Sequence, residues 1–256
     1  MDELEKYYNK FNEDKRLLSR HGQVEYFVAK YYIDKVINGR KNLCILDVGA
    51  GTGRYSLALS EEGHEVYAID YVQKNVSQIK MKSDKIVAKK GTALNLKFED
   101  NKFDIVLLFG PLYHLFDEKD KIKALEEAKR VVKSGGYILV MYLTNEYAFV
   151  TYALKEGHLL ECINNGKLDK NFKVKNSKAD LYDYTTLDDI NALNKIVGLK
   201  REFAIGVDGP TDYIRNVING LNEDEFDLYK NYVLSISKRL DLIGASSHIL
   251  DVLKID

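Results

Sequence analysis

Asp47-Val48-Gly49-Ala50-Gly51-Thr52-Gly53-Arg54 is the stretch on which the reading of this chain turns. The apolar run before it, residues 43–48, has strand character. The residues after it turn helical as far as Glu62, with Gly63 past the end, and residues 65–70 read as a second strand closed by Asp70. Strand, glycine loop, helix and strand make a βαβ unit. Glycine lets a backbone turn sharply and approach a ligand without a Cβ in the way, and the helix that follows presents free N–H groups. Open parallel sheets bind ligands beyond the carboxyl ends of their strands, where the strand order reverses. Asp47, the glycines and Asp70 therefore converge on one site.

Outward from the loop the alternation continues. Upstream, residues 22–38 place Val24, Phe27, Val28, Tyr31 and Val36 near one helical face, with Gly39 as a stop. Downstream come a lysine-rich helix at 72–81, a short strand at 85–88 and a strong strand at 103–109. A helix follows at 117–132 with Ile122, Leu125, Ala128 and Val132 on one face. Ser134-Gly135-Gly136 then turns the chain into a strand at 137–143. Beyond Thr144 a polar, tyrosine-bearing stretch runs to about Tyr184. Thr186 with Asp189 then caps a helix ending at Gly198, and strands follow at 200–206 and 247–253. A helix at 223–240 between them is long for a hairpin connection and is expected to form part of a lid. The expected fold is α/β: a seven-stranded, mostly parallel sheet with helices on both faces. It divides into a helical N-terminal arm over 1–40, a core over 41–144, an insertion and helix over 145–199, and C-terminal strands with an intervening helix over 200–256.

Composition narrows the function. The chain has 256 residues, 45% hydrophobic and 30% charged, and its 38 Lys plus Arg against 39 Asp plus Glu leave a net charge of -1. That balance argues against a dedicated nucleic-acid or anionic-membrane binder. The longest apolar run, 137–143, falls far short of the roughly 18 residues a membrane span needs. The start MDELEKYYNK is charged where a signal peptide is apolar, so a cytoplasmic protein with no membrane association is expected. Cys44 and Cys162 form neither a disulfide framework nor a thiolate metal site. Lys74, Lys80, Lys82, Lys85, Lys89 and Lys90 face a single acid, Asp84, but no stacking aromatics are interleaved with them. They read as a solvated face, and RNA is disfavoured as a partner.

A dinucleotide is the main competing ligand for the loop, and its fingerprint needs glycine where this chain has Arg54. The spacing G-x-G-x-G behind Asp47 instead resembles the class I S-adenosylmethionine-dependent methyltransferases, and the likeness extends over residues 43–143. Asp70 matches the family acid that accepts both ribose hydroxyls. NKFDIVLLFGPLYHL at 101–115 is similar to the family's fourth strand and active-site rim, and RVVKSGG at 130–136 to the lead into strand five. The resemblance implies a Rossmann-like core with S-adenosylmethionine as cofactor. It assigns Asp47, Gly49, Ala50, Gly51, Gly53, Asp70, Tyr71, Thr92, Ala93, Leu94, Phe109 and Gly110 to that cofactor, with Tyr8 from the arm. Thr92 departs from the pattern, since many relatives have an acid there to accept from the adenine amino group. The backbone of Ala93 and Leu94 is expected to hold the adenine edge instead.

Aromatics gather where this fold builds its substrate lid, in Tyr7, Tyr8 and Phe11 of the arm and between Tyr142 and Tyr184, and the simpler reading of any one of them is packing. The arm is expected to close over the cofactor, with Arg16 and His21 near its carboxylate. A methyltransferase needs chiefly to align a nucleophile with the methyl group and to remove its proton. His114, with Tyr113 beside it, is the candidate catalytic pair. Imidazole suits a general base, and the alternative is a histidine that bonds a backbone carbonyl and steadies its loop. Gly110-Pro111-Leu112-Tyr113 lacks the Asp or Asn that opens the base-amine and glutamine methylators' signature. The implied activity is methyl transfer to an oxygen, nitrogen or carbon of a small-molecule acceptor, with no metal. The alternatives are an RNA or quinone acceptor, or a cofactor-binding protein without turnover.

Overall fold

The computed structural model describes residues 3–10, 18–178 and 180–256. Phe11 and Arg16 lie outside the described residues. Ten helices and eight strands follow one another as α1 (Glu3–Lys10), α2 (Arg20–Ile37), β1 (Cys44–Val48), α3 (Arg54–Glu61), β2 (Glu65–Asp70), α4 (Gln73–Lys82), β3 (Val87–Lys90), β4 (Phe103–Phe109), α5 (Glu118–Val131), β5 (Val132–Thr144), α6 (Asn145–Ala148), α7 (Leu159–Asn164), β6 (Tyr184–Thr185), α8 (Leu187–Val197), β7 (Lys200–Gly206), α9 (Arg215–Gly220), α10 (Glu223–Ile236) and β8 (His248–Lys254) among the described residues. The sheet order is β3-β2-β1-β4-β5-β8-β7, with the two-residue β6 added beside the end of β5. All neighbours pair in parallel except β8, which runs antiparallel to both β5 and β7.

Strand alternation sends one set of side chains to each side of this sheet. Ile45, Ile105, Leu107, Leu139, Met141 and Leu250 pack under α2, α3, α4, α9 and α10. Leu46, Val106, Leu108, Ile138, Val140 and Ile249 pack under α5 and α8. Both faces are covered, as expected for a parallel sheet. The cap expected at Thr186 is a full capping box with Asp189, and Gly198 ends α8 in the left-handed conformation at φ +68. No helix among the described residues is long and apolar enough to cross a membrane.

The two-residue β6 makes an eighth strand where seven were expected, and three further differences from the sequence reading bear on the site. Strand β3 begins two residues later than expected, because its register sets Ala88 beside Ala68 and buries it while Val87, Lys89 and Lys90 stay outward on the sheet edge. Strand β5 begins at Val132, but its pairing with β4 breaks after Val132 and resumes at Tyr137, so Ser134-Gly135-Gly136 loops out as a bulge. Helix α10 is no lid. Phe226 and Val233 lie in the core under the sheet, and Arg20 at the start of α2 pairs with Glu223 at 2.8 Å. The insertion after β5 instead carries a π-helical segment (Phe149–Lys155) and α7, which close a small satellite core around Ala153, Cys162 and Leu168.

Candidate active site

The glycine loop leaves β1 with Gly49 at φ +79, Gly51 at +55 and Gly53 at +89. These are left-handed conformations that other residues adopt only with strain. Gly49 brings backbone against rim, since a Cβ there would lie 2.7 Å from Pro111 Cδ and 2.9 Å from the Phe109 carbonyl oxygen. Gly49→Ala is accordingly expected to destabilise the fold by about 1–3 kcal/mol through a strained φ and overpacking. A urea midpoint equal to wild type would contradict that close approach. Gly53 has another task. Its Cβ would meet Ile79 Cγ1 at 2.8 Å, so it lets α3 and α4 pack together.

Above the carboxyl ends of β1, β2 and β4 lies a cavity of about 340 Å3. Tyr8, Asp47, Gly49, Ala50, Gly51, Asp70, Tyr71, Thr92, Ala93, Leu94, Phe109, Gly110, Tyr113 and His114 all line it. Gly53, which the sequence also assigned to the cofactor, stands outside its wall. His21 also lies apart, bonded to Ser19 at the start of α2. The cavity adds residues that sequence reasoning passed over, among them Glu25, Thr52, Tyr55, Asn75 and Met141. Glu25 carried a signal, as an acid on the buried face of α2 beside Val24, Val28 and Ala29.

Asp70 is 6% exposed and already tied down. One carboxylate oxygen accepts from Gly51 N at 2.8 Å, and the other from Val72 N at 2.8 Å and Asn75 Nδ2 at 3.1 Å. It therefore fastens the glycine loop to the start of α4. Asp47 is buried, takes the Ser56 hydroxyl on Oδ2 at 2.6 Å, and leaves Oδ1 without a hydrogen-bond partner among the described residues. Burial, with the charge of Asp70 adding to it, pushes the Asp47 carboxyl up to about 6. Thr52 Oγ1 is likewise buried and without a partner among the described residues. Thr92 Oγ1 accepts the Leu94 N–H at 3.3 Å. That N–H, expected to hold an adenine edge, is thus turned back onto its own loop.

His114 makes the backbone-carbonyl bond that the sequence offered as the alternative to a general base. Its Nδ1 lies 3.0 Å from the Leu181 carbonyl oxygen, which can only accept, so Nδ1 carries the proton. Its Nε2, 3.0 Å from the Tyr8 hydroxyl, accepts from it. Burial pushes the imidazole down to about 4 against the opposing pull of the Leu181 bond. The ring is neutral, with both nitrogens engaged. It joins α1, the rim and the insertion.

Beyond the β5 side lies a second buried polar group, unforeseen from the sequence. Asp208, Asp212 and His248 bring potential ligand atoms within 4.8 Å of one another. Their oxygens are engaged already: Asp208 takes His248 Nδ1 at 2.7 Å and the hydroxyls of Ser246 and Ser247 at 2.5 Å, and Asp212 pairs with Arg215 at 2.7 Å. Through these bonds the cluster ties the turn after β7 to the start of β8. Burial alone pushes the His248 imidazole down, but the carboxylates of Asp208 and Glu25 outweigh it and hold it up at about 9.

Residues 46–140 match the family model of the methyltransferase domain. An uncharacterised protein of Methanocaldococcus jannaschii is 27% identical over 151 residues, 57% of this chain and 63% of that protein. Demethylmenaquinone methyltransferase of Staphylococcus aureus is 36% identical over 109 residues, 40% of this chain and 44% of that enzyme. The chain thus spans less than two thirds of either curated relative. Among solved structures, a putative methyltransferase of Haloferax volcanii, in complex with the Trm112 methyltransferase activator, superposes with a TM-score of 0.63 over 99% of this chain and 98% of its own, at 16% identity. The PH0226 protein of Pyrococcus horikoshii superposes at 0.59 over 98% and 99%, at 15% identity. At those identities the likeness is one of fold.

Proposed function

We propose that this chain, which belongs to the class I S-adenosylmethionine-dependent methyltransferases through its residues 46–140, transfers a methyl group to a small-molecule acceptor. One observation carries the cofactor reading. Two buried polar atoms, Asp47 Oδ1 and Thr52 Oγ1, have no hydrogen-bond partner among the described residues and belong to the wall of one cavity. A buried polar atom of that kind costs about 1–3 kcal/mol unless a partner meets it. An amino-acid zwitterion supplies both complements, an ammonium for the carboxylate and a carboxylate for the hydroxyl. In this reading Asp70, at the end of β2, accepts from the ribose hydroxyls.

S-adenosylmethionine, when bound, supplies a methyl group already made electrophilic by its sulfonium. What remains for the chain is positioning and shielding. Tyr8, Tyr55, Tyr113 and Phe109 wall the cavity with aromatic surface, which excludes water and presents electron-rich faces to a cationic sulfur. His114, neutral and doubly bonded, does not serve as a direct base in this reading. A quinone is the second acceptor class, favoured by the likeness to demethylmenaquinone methyltransferase.

Calorimetric titration tests the cofactor. S-adenosylmethionine and S-adenosylhomocysteine are expected to bind and NAD to give no specific signal. Thr52→Val is expected to weaken S-adenosylhomocysteine roughly tenfold, the loss of one charge-assisted bond, while 5′-methylthioadenosine, which lacks the amino-acid end, binds the variant as it binds wild type. Affinity for S-adenosylhomocysteine is expected to fall as pH drops through about 6, where Asp47 takes up a proton. Tight NAD binding without a response to S-adenosylhomocysteine would falsify the reading, and cofactor binding with no turnover across a broad acceptor screen would leave a binding protein.

A further inference from the structure

We propose that α1 and the insertion form one lid rather than two, and that His114 is the positioning residue that latches them together. The inference rests on the reading of the cavity as the cofactor and acceptor site. Helix α1 is fastened at two points on the carboxyl edge of the sheet. Glu5 pairs with Lys90 at the end of β3 at 3.0 Å, and the Tyr8 hydroxyl donates to His114 just past β4. In the order β3-β2-β1-β4 those points bracket the ends of β2 and β1. The helix therefore lies across Asp70 and the glycine loop, with Tyr8 in the cavity wall.

The insertion reaches the same rim from the other side. Leu181 accepts from His114 Nδ1, Asp183 N donates to the Tyr113 carbonyl at 2.8 Å, and the Asp183 carboxylate pairs with Lys121 of α5. Rings fill the space between: Tyr8 and His114 meet edge to face at 5.6 Å, and His114 and Tyr182 lie 5.3 Å apart. A single imidazole thus has one nitrogen on each flap. In the neutral tautomer set by the Leu181 carbonyl, Nε2 can only accept, so the arm's bond needs the same ring orientation as the insertion's. Loss of either bond frees the ring to turn and weakens the other. That coupling is the physical content of one lid, a two-state element biased from both sides.

Hydrogen exchange on the full chain without cofactor decides it. Tyr8→Phe removes the arm's bond, keeps the ring, and alters no residue of the insertion's own sequence. Exchange is expected to rise about fivefold or more both in residues 3–10 and around residues 176–184, in line with about one hydrogen bond. Asp183→Asn, changed on the insertion side, is expected to raise exchange in residues 3–10. Nitrogen-15 spectra of the histidines supply a signature that general loosening does not mimic: in Tyr8→Phe the Nε2 resonance of His114 shifts as its donor disappears, and Nδ1 loses its fixed proton. If Tyr8→Phe loosens the arm alone, or Asp183→Asn the insertion alone, the flaps are independent and the proposal is overturned. S-adenosylhomocysteine is then added. If it binds nowhere while the coupling holds, the cofactor reading fails and the latch stands.

Discussion

Asp208→Asn is expected to cost about 3–5 kcal/mol of stability, the range for removing one partner from a buried ion pair. Asp208 is 2% exposed and receives His248 Nδ1, the His248 backbone N–H and two serine hydroxyls, so the amide that replaces it sets N–H groups against donors. The effect also depends on pH in a defined direction. His248 is held at about 9 in the fold against an ordinary value of 6.5, which means folding favours its protonated form. The associated stability is fully present below pH 6.5 and is lost as pH rises through about 9. The interval between those values corresponds to about 3 kcal/mol. Urea unfolding of the wild type at several pH values should therefore show a decline between about 6.5 and 9, and in Asp208→Asn that decline should largely flatten while stability at pH 6 drops. A wild-type alkaline slope preserved in the variant would mean that Asp208 is not what holds the proton on His248.

That cluster also shows where the sequence fell silent. Asp208, Asp212 and His248 come from the end of β7, the turn after it and the start of β8, 40 residues apart along the chain between first and last. Nothing local marks them as partners. The cofactor loop was legible for the opposite reason. Asp47, the three glycines and Asp70 sit in one βαβ unit, where period and turn chemistry set the geometry within some 25 residues. The strands at 65–70, 103–109 and 200–206 were read to the residue because continuous apolar runs buried on both faces stop sharply at polar turns.

Errors arose where local pattern and tertiary context disagreed. β3 is a sheet edge with a single buried residue, so its hydrophobicity said little about its register. Helix α10 looked like a lid because the connection was long, yet Phe226 and Val233 point it at the core. His114 was visible as a candidate, with a backbone-carbonyl bond as one of its two readings, but the partners themselves, Tyr8 and Leu181, are 106 and 67 residues away and have no sequence signature. Gly53 and Gly49 look alike in the motif. Only the packing separates the one that admits a neighbouring helix from the one that meets the rim.

Asp70→Ala is expected to weaken S-adenosylhomocysteine roughly tenfold to a hundredfold, since a hydrogen bond to a charged group contributes about 1.5–3 kcal/mol. The sequence treated this acid only as a ligand holder at the end of a strand. The structure gives it a second task, because its oxygens hold Gly51 and Val72 in place through their N–H groups. Affinity loss in Asp70→Ala therefore mixes a missing acceptor with a loosened loop, and the unfolding midpoint is expected to fall as well. Asn75→Ala separates the two. It removes the 3.1 Å bond from Asn75 Nδ2 to Asp70, and so part of the bracing, while keeping the carboxylate. If Asp70 binds the ribose, Asn75→Ala should change affinity less than about threefold, a fraction of one such bond. If Asp70 only braces the loop, Asn75→Ala should reproduce part of the loss in proportion to its effect on the unfolding midpoint, and adenosine, which presents the same ribose hydroxyls, should bind Asp70→Ala as well as it binds wild type. Calorimetry with both ligands on all three proteins distinguishes these outcomes, because a ribose contact is lost for adenosine and S-adenosylhomocysteine alike.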